Sequence, residues 1–214
     1  MAKFYAVRKG ANPGIYKTWD ECKAQVSGFP GAEYKSFPNE KDARAYLSGE
    51  DVKKHAFVMP TIPTNGCLAF VDGSYDKNKN IYSYGIALHV DGEVRTYCKA
   101  GNIDYVAAMN NVAGELSGAM RACSLAKELG KQEIIIVHDY EGIAKWVDEK
   151  NPWKANLRAT QEYKAFIEKM RKYLKITFVW TKGHAGVEGN ELVDKLAKEA
   201  IANEFFTEVS GLTT

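Results

Sequence analysis

A short apolar run in the second half of the chain most constrains the fold. Residues 134–137, Ile-Ile-Ile-Val, show no alternation of polar and apolar side chains, which is typical of a strand covered by protein on both faces. Other strand-like runs occupy 67–72, 82–90, 93–99 and 176–180, and helical patterns occupy 111–129, 140–147, 159–173 and 187–205. We therefore predict an α/β domain, a mixed five-stranded sheet flanked by helices.

The first fifty residues predict a separate small α+β domain, a three-stranded sheet with two helices. A capping box formed by Thr18 and Glu21 opens the first helix, and Asn39 caps the second. A stretch rich in charges, proline and glycine follows, in which neither helix nor strand can continue. We expect domains at 1–50 and 67–206, a linker at 51–66 and a tail at 207–214.

Charge and cysteine distribution narrow the function classes. The segment 1–54 holds ten lysines and arginines against seven acidic residues, which suggests that it holds a polyanion while the near-neutral remainder acts on it. No apolar run is long enough to cross a bilayer. The start of the chain lacks the pattern of a secretory signal, and the four cysteines are widely spaced, so we expect a protein of the cytoplasm without a zinc site. We also expect a monomer.

Four carboxylates are placed where a metal site could form. Asp72 and Asp139 end apolar strands, while Glu115 and Asp194 lie in predicted helices. If the two strands are neighbours, both aspartates reach the same edge of the sheet. An oxygen-rich site of this kind suits Mg²⁺ or Mn²⁺. Two such ions about 4 Å apart can activate water and stabilise the leaving oxygen of a phosphodiester.

Each acidic residue also has an ordinary explanation. Asp72 could be a turn residue before glycine, and Asp139 could be a helix N-cap. Glu115 and Asp194 could be solvated carboxylates on helix surfaces. Only the joint arrangement favours a site.

Five motifs, taken in order, resemble those of type 1 ribonucleases H. They read Phe70-Val-Asp-Gly-Ser74, Asn111-Val-Ala-Gly-Glu-Leu116, Ile136-Val-His-Asp-Tyr140, Trp180-Thr-Lys-Gly-His-Ala-Gly186 and Gly189-Asn-Glu-Leu-Val-Asp-Lys-Leu-Ala197. The resemblance implies that Asp72, Glu115, Asp139 and Asp194 bind metal. It also implies that His184 assists proton transfer or product departure. Gly73 and Ser74 match a pair that contacts the substrate backbone, and Asn111 matches a residue that touches the RNA 2′-hydroxyl.

Two departures from that family stand out. His138 and Tyr140 flank Asp139, where relatives usually carry serine or threonine, so the contacts beside this carboxylate differ. The stretch 146–158 is also a short remnant of the basic protrusion that holds substrate in bacterial single-domain members. Substrate binding must then depend on another part of the chain.

Residues 3–48 are similar to the hybrid-binding domain that precedes some ribonucleases H and occurs in a caulimovirus inclusion-body protein. The resemblance implies that Trp19 and Tyr34 pack on deoxyribose rings, with Tyr5 supporting them. It places Arg8 and Lys35 near phosphates. Aromatic faces beside cations are a reasonable way to hold nucleic acid without reading its sequence.

The combined interpretation is an endonuclease that cuts the RNA strand of an RNA–DNA hybrid with two Mg²⁺ ions, leaving 5′-phosphate and 3′-hydroxyl ends. Mn²⁺ is a possible substitute for Mg²⁺. Two other interpretations remain open at this point. The chain could be a catalytically silent hybrid-binding protein, or a 3′ exonuclease or strand-transfer enzyme of the same fold.

Overall fold

Two compact units make up the chain. The computed structural model describes residues 3–37, 39–49, 57–183 and 187–213, and its contacts divide the chain into Met1–Val58 and Met59–Thr214. The expected linker begins outside the described residues, and 57–65 form neither helix nor strand. None of the described helices combines the length and apolar character needed to cross a membrane.

The first unit is a three-stranded antiparallel sheet with two helices. Its elements are β1 (Phe4–Lys9), β2 (Gly14–Tyr16), α1 (Trp19–Val26), β3 (Glu33–Phe37) and α2 (Glu40–Leu47), with strand order β2-β1-β3. Ala6 and Val7 are both fully buried. Since successive strand residues face opposite sides of a sheet, both faces of β1 are covered.

Both predicted helix caps of this unit are confirmed. The Glu21 backbone N–H donates to Thr18 Oγ1 at 3.3 Å, and the Thr18 N–H donates to Glu21 Oε2 at 3.0 Å. The Asp42 N–H donates to Asn39 Oδ1 at 2.9 Å. These bonds satisfy N–H groups that a helix start leaves unpaired, so local sequence is sufficient to place the first turns.

The second unit is a mixed six-stranded sheet flanked by helices. Its elements are β4 (Gly66–Asp76), β5 (Ile81–Val90), β6 (Glu93–Gly101), α3 (Asp104–Ala107), α4 (Asn111–Glu128), β7 (Glu133–His138), α5 (Gly142–Lys145), α6 (Arg158–Met170), β8 (Lys175–Trp180), α7 (Glu188–Ala202) and β9 (Val209–Thr213). The strand order is β8-β7-β4-β5-β6-β9. β7 is parallel to both β4 and β8, and the other pairs are antiparallel.

The apolar run that predicted a strand buried on both faces behaves as expected. Ile134, Ile136 and Val137 are fully buried in β7, and the first two belong to the main core cluster of this unit. α4 and α7 pack against β4 and β5, and α6 packs against α4. The predicted α/β class is therefore confirmed, and β4 and β7 are the adjacent parallel strands that the carboxylate argument required.

The sixth strand differs from the expected five. Residues 209–213, within the stretch expected to be a tail, pair with β6 from Val94 to Cys98. Glu208 holds the start of this strand, because its carboxylate accepts hydrogen bonds from Arg121 at 2.8 Å and from the Tyr84 hydroxyl at 2.7 Å. Strand pairing is made by backbone groups and depends little on the side-chain pattern. The five residues 209–213 therefore gave no clear strand signal in the sequence.

Other boundaries also differ from the sequence prediction, and two of them lie beside the predicted carboxylates. β4 does not end at Asp72, because its pairing with β5 continues to Asp76, whereas its pairing with β7 stops at Phe70. Asp72 therefore lies just beyond the end of the parallel pairing rather than at a strand terminus. The helix predicted at 140–147 is reduced to a single turn, α5, since Tyr140 takes part in the turn that leaves β7.

Candidate active site

Asp72 and Asp139 come from the two central parallel strands. β4 and β7 pair in register up to Phe70 and Val137, and each aspartate lies two residues further along the chain. Both side chains are half-buried. The Asp72 Oδ1 atom accepts a hydrogen bond from the Gly73 N–H at 2.7 Å. The neighbouring strands therefore bring two carboxylates to one edge of the sheet.

Glu115 reaches the same edge from α4 because the helix approaches β4 unusually closely. A Cβ atom added to Gly73 would collide with the Asn111 carbonyl oxygen and the Glu115 backbone nitrogen. Only glycine at position 73 permits this approach. The Glu115 side chain is 5% exposed, and its Oε2 atom has no hydrogen-bond partner among the described residues.

Three carboxylates thus form a compact cluster. Asp72, Glu115 and Asp139 each offer an oxygen atom, and these atoms all lie within 4.8 Å of one another. Burial raises the pKa of Glu115 well above its ordinary value, and the charges of the two aspartates raise it further. Burial raises the pKa of Asp72 to about 6, assisted by the charges of Asp139 and Asp194. Packed negative charge of this kind favours a bound cation.

Asp194 lies on α7 at the edge of this cluster. It lines the same cleft of about 420 Å³ as the three clustered carboxylates and Asn111. Its Oδ2 atom accepts a hydrogen bond from Lys198 at 2.7 Å, one helical turn away. The structure therefore brings all four predicted carboxylates to one cleft, with Asp194 outside the tight group of three.

The other site residues predicted for the second unit are Gly73, Ser74, Asn111 and His184. Gly73 lines the cleft, as Asn111 does. Ser74 is the next residue of β4 and pairs with Ser83 of β5. His184 lies outside the described residues.

Tyr140 is a cleft residue that the sequence argument treated only as a departure from a motif. It lines the cleft beside Asp139, and burial, with the nearby Glu115 charge, raises the pKa of its hydroxyl. His138 is fully buried on the other side of Asp139, and its Nδ1 atom is 2.9 Å from the Tyr140 carbonyl oxygen. Position next to a site carboxylate was the signal that could have identified Tyr140.

The first unit gathers its predicted aromatic residues on one surface. The Trp19 ring lies between Tyr5 and Tyr34, with a centroid separation of 5.8 Å to each. Trp19 is 42% exposed and Tyr34 is 45% exposed. Large aromatic side chains that are left this open on a small domain are typical of binding surfaces.

The two predicted cations of the first unit have different surroundings. Lys35 belongs to β3, and its ammonium group lies 5.9 Å from the centre of the Phe37 ring. The Arg8 guanidinium donates two hydrogen bonds to the Tyr46 carbonyl oxygen and lies 4.2 Å above the Tyr46 ring. Arg8 therefore helps to hold α2 against the sheet, a role that the sequence did not indicate.

Comparison with solved structures places the second unit in a known fold class. RNase H1 from Halobacterium salinarum NRC-1 has a TM-score of 0.53 at 18% identity, over 64% of this chain and 98% of that one. LC11-RNase H1, solved in complex with an RNA/DNA hybrid, has a TM-score of 0.50 at 17% identity, over 63% and 99% of the two chains. These likenesses establish the ribonuclease H fold.

Sequence comparison then identifies the family. Residues 64–202 match the RNase H family model, and residues 3–47 match the Ribonuclease H1 N-terminal domain model. Human Ribonuclease H1 is 25% identical to this chain, in an alignment that covers 92% of this chain and 88% of the human protein. The chain belongs to the ribonuclease H family and is an endoribonuclease.

Proposed function

We propose that this protein hydrolyses the RNA strand of RNA–DNA hybrids with divalent cations, leaving 5′-phosphate and 3′-hydroxyl ends. The observation that carries the proposal is the cluster of Asp72, Glu115 and Asp139, whose carboxylate oxygens lie within 4.8 Å of one another. Family membership supports the substrate class. The hybrid bound to a solved relative supports it as well.

The donor set fits hard divalent cations. All the candidate ligands are carboxylate oxygens, which Mg²⁺ and Mn²⁺ prefer over the nitrogen and sulfur ligands typical of zinc. The unpaired Glu115 Oε2 atom is a buried acceptor that a cation would satisfy. Asp72, Glu115, Asp139 and Asp194 would hold two Mg²⁺ ions, with Mn²⁺ as a substitute. When bound, such ions activate water and stabilise the departing oxygen of the phosphodiester.

The other predicted site residues orient the RNA strand or assist the chemistry. Asn111 lines the cleft one helical turn before Glu115, where its amide can hydrogen-bond a ribose 2′-hydroxyl and so distinguish RNA from DNA. The backbone at Gly73 and Ser74 contacts the substrate beside the cut. His184 moves a proton to or from the cleaved ends.

The first unit holds the hybrid. Trp19 and Tyr34 pack on deoxyribose rings of the DNA strand, and Tyr5 supports the Trp19 ring, with which it is in contact. Lys35 and the exposed edge of Arg8 lie near phosphates. Stacking on an aromatic side chain contributes about 1–3 kcal/mol per base in single-strand binding proteins, so we expect this surface to raise affinity without altering the chemical step.

Two finer points of the proposal rest on composition. The four cysteines are free and buried, which is compatible with a reducing compartment, and we propose that the protein acts in the cytoplasm. We also propose that it acts as a monomer. Size-exclusion chromatography with light scattering would test the second point.

The decisive experiment measures metal-dependent cleavage of an end-labelled RNA–DNA hybrid. We expect internal cuts in the RNA strand with Mg²⁺, loss of cleavage in chelator, and loss of cleavage in Asp139→Asn while hybrid binding persists. Full activity of Asp139→Asn would contradict the assignment. Binding without cleavage by the wild type would indicate a silent hybrid-binding protein, and cutting of duplex DNA or trimming from 3′ ends would indicate another enzyme of this fold.

A second experiment tests the binding surface of the first unit. Trp19→Ala should weaken hybrid binding by about 1–3 kcal/mol, or roughly 5- to 150-fold, and leave kcat at saturating hybrid unchanged. Phe206→Ala, which removes a similarly exposed aromatic side chain from the second unit, is the matched control. Equal affinity of Trp19→Ala and wild type would rule out the aromatic surface as the hybrid-binding site.

A further inference from the structure

Tyr140 stands at the border between the acidic cluster and a set of aromatic side chains. It lines the cleft together with Asp72, Glu115 and Asp139. On its other side, the Tyr140 ring packs on Trp146 at 5.8 Å, and Trp146 packs edge-on against Trp153 at 5.9 Å. Trp146 is 8% exposed, so the tyrosine ring rests on a buried support.

The chain makes room for this ring at Gly142. A Cβ atom at position 142 would collide with Cε1 of Tyr140 and lie 2.7 Å from Cζ3 of Trp146. Any other residue there would push the two rings apart. The glycine therefore permits the contact that fixes the position of the Tyr140 ring.

The backbone that carries Tyr140 is fixed from two directions. The Trp180 Nε1–H donates to the Asp139 carbonyl oxygen at 2.9 Å from the end of β8. The His138 imidazole makes its 2.9 Å bond to the next carbonyl, that of Tyr140. With neutral histidine, this contact requires the hydrogen on Nδ1. Both side chains bind carbonyl groups rather than the tyrosine hydroxyl.

The Tyr140 hydroxyl is not held by the described part of the chain. It makes no hydrogen bond to another residue in the described part of the chain. Its charged neighbours across the cleft are carboxylates, which offer acceptors to a cation but no donor to a phosphate, and the Asn111 amide is assigned above to the ribose 2′-hydroxyl. A phenol is a neutral donor that can supply one.

We propose that the Tyr140 hydroxyl donates a hydrogen bond to a non-bridging phosphate oxygen of the RNA strand beside the scissile linkage. This inference rests on the proposed function, because it takes the RNA strand of a hybrid as the occupant of the cleft. Tyr140 is then a substrate-contact residue that sets the position of the RNA backbone.

The first test removes only the hydroxyl. Tyr140→Phe keeps the ring on Trp146, so its melting temperature should match that of wild type, while KM for the hybrid should rise about tenfold, as expected for loss of a hydrogen bond to a charged acceptor. We expect kcat to change less than twofold. Tyr173→Phe is the matched control, since that ring lies 3.9 Å from the Lys127 ammonium group and does not line the cleft.

The second test identifies the acceptor. Single methylphosphonate linkages, each carried on a 2′-O-methyl nucleotide for stability, are placed in turn along the RNA strand of a hybrid. In wild type, the linkage contacted by Tyr140 should raise KM, and in Tyr140→Phe the same linkage should have no further effect. A matching set of 2′-O-methyl nucleotides with ordinary phosphates corrects for the sugar change.

The outcomes separate this inference from the proposed function. If wild type cleaves hybrids and Tyr140→Phe has the same KM, the contact does not exist and the function stands. Equal methylphosphonate penalties at every linkage in both enzymes would overturn the phosphate assignment. A fall in kcat at constant KM would also overturn it. If wild type does not cleave hybrids at all, the proposed function itself fails.

Discussion

Replacing Asp72 with asparagine should stabilise the metal-free protein while abolishing its activity. The folded protein raises the pKa of Asp72 from 3.8 to about 6, chiefly through burial and then through repulsion from Asp139. At about 1.4 kcal/mol for each pH unit, ionised Asp72 destabilises the folded state by roughly 3 kcal/mol at neutral pH. Asparagine removes the charge and keeps an oxygen that can accept the Gly73 N–H.

The sign of the pH dependence follows from the direction of the shift. The pKa of Asp72 is higher in the folded state, so the folded state binds the proton more tightly. The cost of ionisation is absent below about pH 4, grows between about pH 4 and 6, and is complete above that range. The advantage of Asp72→Asn over wild type should therefore grow with pH in this window and then stay constant.

Urea denaturation in chelator, followed by circular dichroism at pH 7.5 and pH 4.5, measures this difference. We expect Asp72→Asn to unfold at higher urea than wild type at pH 7.5, with a smaller gain at pH 4.5. Millimolar Mg²⁺ should stabilise wild type far more than the variant, since a ligand stabilises the state that binds it. Asp91→Asn, an exposed carboxylate paired with Lys131, is the control and should give no gain. A variant equal to or less stable than wild type at pH 7.5 in chelator would refute the reasoning.

Three further substitutions probe the framework around the site. Glu208→Ala should free β9 by breaking its bonds to Arg121, lowering unfolding free energy by about 1–3 kcal/mol and speeding amide exchange in residues 209–213; unchanged exchange would contradict this. Gly73→Ala should displace α4 and cost more than about 2 kcal/mol, seen as a lower melting temperature with reduced cleavage. Trp180→Phe should remove the bond to the Asp139 carbonyl and lower kcat at near-normal stability, measured by steady-state cleavage.

Local patterns predicted most of the fold because each depended on nearby residues. The capping bonds of Thr18 and Asn39 join residues three apart. The run 134–137 is entirely apolar, and this composition alone indicates a buried strand. The strand β9 was missed because its pairing with β6 is long-range, and its anchor, Glu208, contacts Arg121, 87 residues away. No window of sequence contains both partners.

Prediction of the candidate site from the sequence was limited in the same way. Motif order pointed to Asp72, Glu115 and Asp139, and the structure brings their oxygens within 4.8 Å. The pattern could not show that Asp194 lies outside this group beside Lys198. It also could not show Tyr140 in the cleft, because that depends on packing between the turn after β7 and Trp146. The residue types in the motifs predict the candidate metal ligands, whereas tertiary contacts determine which other residues line the cleft.

Backbone contacts hold the cluster of Asp72, Glu115 and Asp139 in shape, and no cationic side chain among the described residues pairs with these three carboxylates. α4 is brought against β4 by the absence of a side chain at Gly73, and the carbonyl of Asp139 is fixed by Trp180. Among the described residues, nothing donates to Glu115 Oε2. The fold therefore fixes where the carboxylates stand and leaves their repulsion to be relieved by a cation. Repulsion between the carboxylates lowers the stability of the metal-free protein, and a bound cation relieves it. Because packing already holds the ligands in place before binding, the cation does not have to order them.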